Sequence, residues 1–395
     1  MKTVGIICEY NPMHLGHQNH IKKTKQILDD DVAVICVMSG NFVQRGDLAV
    51  FNKHARAKMA ICDGADLVIE LPAPYALLSA EGFAKAGVYI LENLGICEYL
   101  SFGSESGDIE ILCEAAKAIK SERAHLLTRK WLEEGISYAA AQQKAAYDVF
   151  GEQAVVFNSP NNVLGIEYIK ALIDLDSGIK PLTLKRTGGE HDSDTGYSAS
   201  ALRKDFLSGR TPRSTMSGIS LAICNEEIKS GRGPVSIKQA EMPILSRLRA
   251  IRDFSNIPGI SEGLESRIKR YVKVEASFNS ILNGIKTKRY TMSRLRRVLI
   301  SAVLGISNED VKESPPYARV LAANTTGMKL LAKARKKAKL PILTKPASVY
   351  EINDTAAKLF ELEAAATDFY VLAYQKAEER KGEQEWRTSP VIMKS

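Results

Sequence analysis

The sequence predicts a doubly wound α/β domain built on a parallel sheet, followed by a mostly helical, basic unit. Three observations carry this. Near-continuous apolar runs such as Thr3–Glu9 and Val32–Met38 alternate with helical patterns as far as residue 210, which is how parallel strands covered on both faces read. Strand signals then fade, and helical periodicity dominates from Ser236 to Leu304. The charge is also uneven: Arg267 to Lys345 holds 19 Lys and Arg against 4 Asp and Glu, in a chain of 395 residues whose net charge is only +8.

Taken in order, Thr3–Glu9 is the first strand, Gln18–Leu28 a helix and Val32–Met38 the second strand. A helix near Lys53–Cys62 leads to a strand at Asp66–Leu71 and a helix at Ala80–Leu94. A short strand at Glu98–Phe102 precedes helices between Ile109 and Phe150 and another at Asn162–Leu175. The last strand is Lys180–Arg186, and a helix opens near Ser200. Such alternation builds an open sheet whose ligands bind at the carboxyl ends of the strands. Ser208–Ser217 and Lys229–Pro234 are candidate linkers. The expected division is therefore 1–215 for the sheet domain and 216–395 for the helical one. One more amphipathic helix falls between Glu351 and Arg380, and the final residues read as a poorly ordered tail.

Composition narrows the class. With 45 % apolar and 25 % charged residues, the chain is of ordinary globular make-up. Its apolar runs are far shorter than a membrane span, and Glu9 interrupts the first before any cleavage site for a secretory signal. The six cysteines form no C-x-x-C pair and no zinc spacing, so they are expected as core residues in a reducing, cytoplasmic setting. One basic segment on an acidic body suits a polyanionic partner, nucleic acid rather than membrane.

The strongest chemical signal follows the first strand: Glu9-Tyr10-Asn11-Pro12-Met13-His14-Leu15-Gly16-His17. A Pro-containing turn opens a helix whose first turn carries two histidines three apart, on one face. Helix N-termini offer free N–H groups and a positive dipole end to phosphate. Two imidazoles there can stabilise charge building up at an α-phosphate, and Gly16 leaves room for a ligand at the backbone. Ser39–Gly46 lies at the carboxyl end of the second strand, and its Arg45 suits a carboxylate or phosphate, or is a plain surface residue. Lys53, Arg56 and Lys58 suit phosphate neutralisation or a solvated basic face equally. Gly103 makes room for an adenine or is a turn glycine; Asn161, after Pro160 and before a helix, reads as an N-cap or turn residue. Lys185 and Arg186 end the last strand with two cations. In the basic segment, Lys288, Arg289, Arg294, Arg296 and Arg297 surround Tyr290, a mix suited to phosphate contacts and base stacking. Lys333–Lys339 is a second basic run.

The H-x-G-H spacing resembles the nucleotidyltransferase superfamily of that name, with its Rossmann-like sheet. The stretches Gly5–Gly16, Met38–Gly46, Asp66–Pro72, Phe102–Glu105, Ser159–Gly165 and Thr287–Thr291 narrow the resemblance to the bacterial tRNA(Met) cytidine acetate ligase family. It implies an enzyme that activates acetate with ATP as acetyl-adenylate and acetylates N4 of the wobble cytidine, position 34, of elongator tRNA(Met). By position it puts ATP on Ile7, Cys8, Glu9, Tyr10, Asn11, Pro12, Met13, His14, Leu15, Gly16, His17, Gln18, Asn19 and His20, joined by Gly103, Asn161 and Arg186. Ser198–Arg203 resembles the superfamily's phosphate loop, adding Ser200 for ATP and Arg203 to His14 and His17 as catalytic residues. Mg²⁺ is expected with the ATP, without a protein-built metal site, and no protein partner is implied. The chain departs from the family at Met13, Leu15, His54 and Glu190-His191-Asp192. A small-molecule adenylyl- or cytidylyltransferase is the enzymatic alternative, which the basic segment argues against. An RNA-binding protein on a relict fold is the non-enzymatic one, which the intact His14/His17 pair argues against.

Overall fold

The computed structural model describes residues 1–136, 138–186, 199–212, 214–261 and 263–394. Strands β1 (Lys2–Cys8) and β2 (Val32–Ser39) are joined by helix α1 (Leu15–Ile27). A short hairpin of β3 (Phe42–Val43) and β4 (Asp47–Leu48) leads to α2 (Lys53–Cys62). Then come β5 (Leu67–Leu71), α3 (Ala73–Ala76), α4 (Ala80–Asn93) and β6 (Tyr99–Ser104). Helices α5 (Ile109–Ile119), α6 (Glu122–Glu133), α7 (Tyr138–Phe150) and α8 (Pro160–Asp174) precede β7 (Lys180–Lys185). After α9 (Ala199–Leu207) and α10 (Gly218–Lys229) come α11 (Glu241–Ala250), α12 (Leu264–Val274), α13 (Phe278–Ile285) and α14 (Met292–Leu304). The described chain ends with β8 (Ala318–Ala323), α15 (Thr325–Ala334), β9 (Ile342–Leu343), α16 (Asp354–Val371), α17 (Gln384–Arg387) and β10 (Val391–Ile392).

The main sheet runs β10-β8-β5-β2-β1-β6-β7, with β9 beside β8. Every pair is parallel except β5–β8. All eight residues of β2 and all five of β5 are buried, as their unbroken apolar runs require. One apolar core on one face of the sheet gathers α4, α5 and α8; another gathers α1 and α2. Gly5 in β1 lets α4 close on the sheet, since a Cβ there would lie 2.5 Å from Leu91 Cδ1. From β1 the chain builds outward through β2 to β5, then crosses to β6 on the other side. The β1/β6 boundary is thus the switch point, where open α/β sheets bind ligands.

A third core unites α11–α14 with α16, the helical unit expected from Ser236 to Leu304. Two expectations need correction. The chain does not leave the sheet for good at residue 215: β8 and β10, from the second expected unit, are sheet strands. The β8 sequence Ala-Arg-Val-Leu-Ala-Ala hides its state, because alanine is a poor strand former. Nor is the C-terminus a loose tail. Glu385 is 1 % exposed, Trp386 packs on Phe360, and Val391 and Ile392 pair with β8.

The tail is held by a buried ionic cluster under the carboxyl ends of β2 and β5. Lys53 Nζ lies 2.6 Å from Glu70 Oε1, 2.5 Å from Glu385 Oε1 and 3.9 Å from Glu363 Oε2. Arg319 also pairs with Glu385, and lies 3.7 Å from Glu70. Burial, then the charge of Glu70, pushes the Glu363 carboxyl up to about 8. Thr367 Oγ1 donates to Glu385 Oε2 (2.6 Å) and accepts from Asn41 Nδ2 (3.2 Å), tying the loop after β2 to the tail.

Candidate active site

At the carboxyl end of β1 the chain turns through Glu9–Met13 and enters α1 with His14 as its N-cap. His14 Nδ1 accepts from Gly16 N–H at 3.0 Å. A neutral His14 ring therefore carries its proton on Nε2, a ready donor. The His14 and His17 rings stack, centroids 3.7 Å apart, and Tyr10 tilts against His17 at 4.9 Å. His17 Nδ1 is buried without a hydrogen-bond partner among the described residues. Such a buried orphan beside a helix N-terminus suits a ligand atom. His20 Nε2 pairs with Ser101 Oγ (2.9 Å), one turn further along.

These imidazoles are held neutral. Burial, then the charge of Arg186, lowers His14 and His20 to about 4, and burial with the His14 charge lowers His17 well below its usual value. NMR titration of the free protein is therefore expected to find His14 and His20 neutral down to about pH 5; midpoints near 6.5 would contradict this. The sign for stability follows. The unfolded chain takes up these protons first, so the contribution is complete above about pH 6.5 and is lost as pH falls toward 4. Bound triphosphate reverses the trend, because its charge favours imidazolium.

The cations converge on the same place. Arg203, on α9, donates from Nη1 to Asn11 O (2.9 Å) and from Nη2 to Ser200 Oγ (3.1 Å). Arg186 follows β7, its N–H donating to Ser104 O (2.9 Å). Its side chain crosses Gly103, where a Cβ would stand 3.1 Å from Arg186 Cγ. Gly103 is thus inside β6, and what it visibly accommodates is the arginine. Asn161 opens α8 and donates from Nδ2 to Glu105 Oε1 (2.6 Å), while Glu105 Oε2 accepts from Asn162 N–H (2.9 Å). Glu105 thereby caps a helix that lacks a side-chain cap of its own.

Several side chains of the 7–20 stretch are spent on structure. Ile7, Tyr10, Met13 and Pro12 are buried, and Cys8 lies beside Cys36 and Tyr10. Asn11 Oδ1 accepts from Val50 N–H (2.8 Å), Leu15 N–H donates to Thr215 O, and Gln18 reaches Asp63 (3.3 Å). Gly16 and Asn19 are exposed. Ser198 and Glu190-His191-Asp192 lie outside the described residues.

Two readings of the basic residues are corrected. Lys53 and Arg56 form no solvated face: both are buried. Arg56 donates to the carbonyls of Phe51 (3.0 Å), Ser39 (3.0 Å), Gly40 and Glu9, binding together the loops after β1 and β2. Lys58 alone is a surface residue, 3.7 Å from Glu226. Tyr290 is 4 % exposed, bonded to Ser261 and covered by Arg294, so it offers no stacking face. Arg294 donates twice to Gly259 O, Arg297 reaches Gln44 O (3.4 Å), and Arg296 lies 3.7 Å from Asp47. Lys288 and Arg289 are exposed. Gly46, at φ +72°, packs against the backbone of Arg296 and Arg297, so the β3–β4 hairpin joins the nucleotide side to the basic helix α14. The Lys333–Lys339 run lies elsewhere, at the amino edge of the sheet, where Lys339 N–H donates to Asn93 O (2.9 Å).

Sequence reasoning gave Arg56 no buried role, and gave Asn41 and Glu105 no role of their own. For Arg56 a signal existed: Lys53, Arg56, Ala57 and Ala60 share the spacing of one buried helix stripe.

A parallel sheet with its switch point at β1, a histidine pair opening the first helix, and arginines from β7 and α9 define a nucleotidyltransferase of the H-x-G-H type. The profile of the HIGH Nucleotidyl Transferase family matches residues 1–385. The chain belongs to the tRNA(Met) cytidine acetate ligase family: the Acetivibrio thermocellus protein of that name is 39 % identical over the full length of both chains. That of Caldicellulosiruptor saccharolyticus is 39 % identical over 95 % of each. Crystal structures of Thermotoga maritima TmcAL, 33 % identical over both full chains, superpose with TM-scores of 0.94 bound with alpha-thio ATP and 0.96 in the apo form. No described helix is long and apolar enough to cross a membrane.

Proposed function

We propose that this chain is an ATP-dependent ligase that activates acetate as acetyl-adenylate and acetylates N4 of the wobble cytidine, position 34, of elongator tRNA(Met). The observation that carries the reading is the stacked, neutral His14/His17 pair at the start of α1. The names of full-length relatives, and an ATP analogue bound to one of them, support it.

The triphosphate lies at the N-terminus of α1, whose amides and dipole favour it. An acetate oxygen attacks the α-phosphorus in line and pyrophosphate leaves. His14 and His17 donate to the oxygens where charge builds up, while Arg186, and Arg203 with Ser200, hold the departing pyrophosphate. Positioning and electrostatics supply the barrier lowering, and no protein nucleophile is needed. Mg²⁺ accompanies ATP, held by phosphate oxygens and water. The cytosine amine then attacks the acetyl carbonyl and AMP leaves. The enzyme works in the cytoplasm, where its tRNA substrate is. Acetate and propionate differ by one methylene, so acid selectivity is about 1–3 kcal/mol at most.

The test is pyrophosphate release from ATP and acetate, with and without bulk tRNA, followed by mass analysis of the tRNA nucleosides. N4-acetylcytidine is expected. Pyrophosphate without a tRNA product would indicate a small-molecule transferase instead. For the RNA surface, reversing Lys288 and Arg289 together to Glu is expected to weaken tRNA binding and reduce its log–log salt slope by about two, roughly one per lost phosphate contact. An unchanged slope would remove these residues from the RNA surface.

A further inference from the structure

Glu9 is the only acid between Ile7 and His20. A carboxylate repels a triphosphate, so its presence at the head of the nucleotide loop calls for another role. Its Oε1 accepts from Gln44 N–H at 2.6 Å, which fixes the side chain against the loop that carries the β3–β4 hairpin. Its Oε2 accepts no hydrogen bond from a described residue, and Glu9 as a whole is half-buried. The backbone carbonyl of Glu9 is itself held by buried Arg56, so the carboxylate stands on a rigid base.

The surroundings fit a proton acceptor. Arg56 from α2, Arg45 from the hairpin and Arg203 from α9 face the carboxylate, with Tyr168 of α8 further off. Burial outweighs them and raises the Glu9 carboxyl above its ordinary value, which strengthens it as a base. The location is between the two halves of the proposed reaction. On one side lie His14, His17 and Arg203; on the other the hairpin, whose Asp47 and Gly46 contact Arg296 and Arg297 of the basic helix. Carboxylates are also the natural acceptors for the cytosine N4 amine.

We propose that Glu9 is the catalytic residue that accepts the cytosine N4 proton during acetyl transfer. The inference rests on the acetyl-adenylate reading above. The N4 nitrogen forms a bond to the acetyl carbon, and the bond from that carbon to the AMP oxygen breaks with its electron pair staying on AMP. The N4 proton passes to Glu9 Oε2 and from there to water.

The test separates the two half-reactions. Glu9→Gln keeps an amide oxygen for Gln44 N–H but cannot take up the proton. Acetate-dependent exchange of pyrophosphate into ATP reports activation; single-turnover acetylation of tRNA reports transfer. Transfer is expected to fall at least 100-fold, activation less than tenfold, and Glu9→Asp to restore part of the transfer. Equal losses in both steps would make Glu9 a loop anchor and overturn the proposal, as would undiminished transfer. If the wild-type protein shows no acetate-dependent exchange, the acetyl-adenylate reading itself fails, which the Glu9 variants alone would not reveal.

Discussion

His17→Ala is expected to lower ATP-dependent acetate activation by about 10²–10³-fold while leaving tRNA affinity within about twofold. The first figure is what removal of one preorganised donor typically costs when it faces developing charge in a site sheltered from water. His17 meets that description: its ring is stacked on His14, braced by Tyr10, and kept neutral by burial. A neutral imidazole costs the empty site little and donates one hydrogen bond when charge appears at the phosphate. The second figure follows from distance along the fold. The exposed cations Lys288 and Arg289 precede α14, and α14 reaches the nucleotide loops through the β3–β4 hairpin, not through α1. The measurements are pyrophosphate release at saturating ATP and tRNA binding by filter retention. Equal loss of both would mean that nucleotide and RNA share one inseparable site.

The arrangement of the candidate site is legible in the sequence because it is local. A strand, a turn and a histidine pair at a helix start are all written within residues 3–17, while Arg186 follows β7 directly and Arg203 sits in the middle of the short helix α9. Long-range relations were not legible. Nothing local says that Ala318–Ala323 pairs with β5, since the pairing is antiparallel and brings together residues some 250 positions apart. Nothing in Lys286–Arg297 says that Tyr290 turns inward to Ser261 and Arg294 closes over it, because a tyrosine among cations reads alike exposed or buried. Lys53 was misread for a physical reason as well: charged residues are seldom fully buried unless paired, and its partners Glu70 and Glu385 lie 17 and 332 positions away.

That cluster yields the second large effect. Glu385→Ala is expected to destabilise the fold by about 3–5 kcal/mol, the usual consequence of removing one partner from a buried ion pair. Lys53 and Arg319 would then face Glu70 and Glu363 alone, and Thr367 would lose its acceptor. A change in pH dependence should accompany the loss. In the wild type, Glu363 holds its proton to about pH 8, far above the unfolded value, so its contribution is present at low pH and is lost as pH rises through 8. With Glu385 gone, two cations confront one ionised carboxylate, and Glu363 is drawn to ionise and replace it. The loss of stability between pH 5 and 8 should therefore flatten in the variant. Urea unfolding at several pH values measures both quantities. A variant within 1 kcal/mol of wild type, with the slope unchanged, would mean that water or a rearranged tail replaces Glu385 without cost. The contrast with His17 is informative: one removal silences chemistry in a folded protein, while the other loosens the strand and tail that hold the loop after β2 in place.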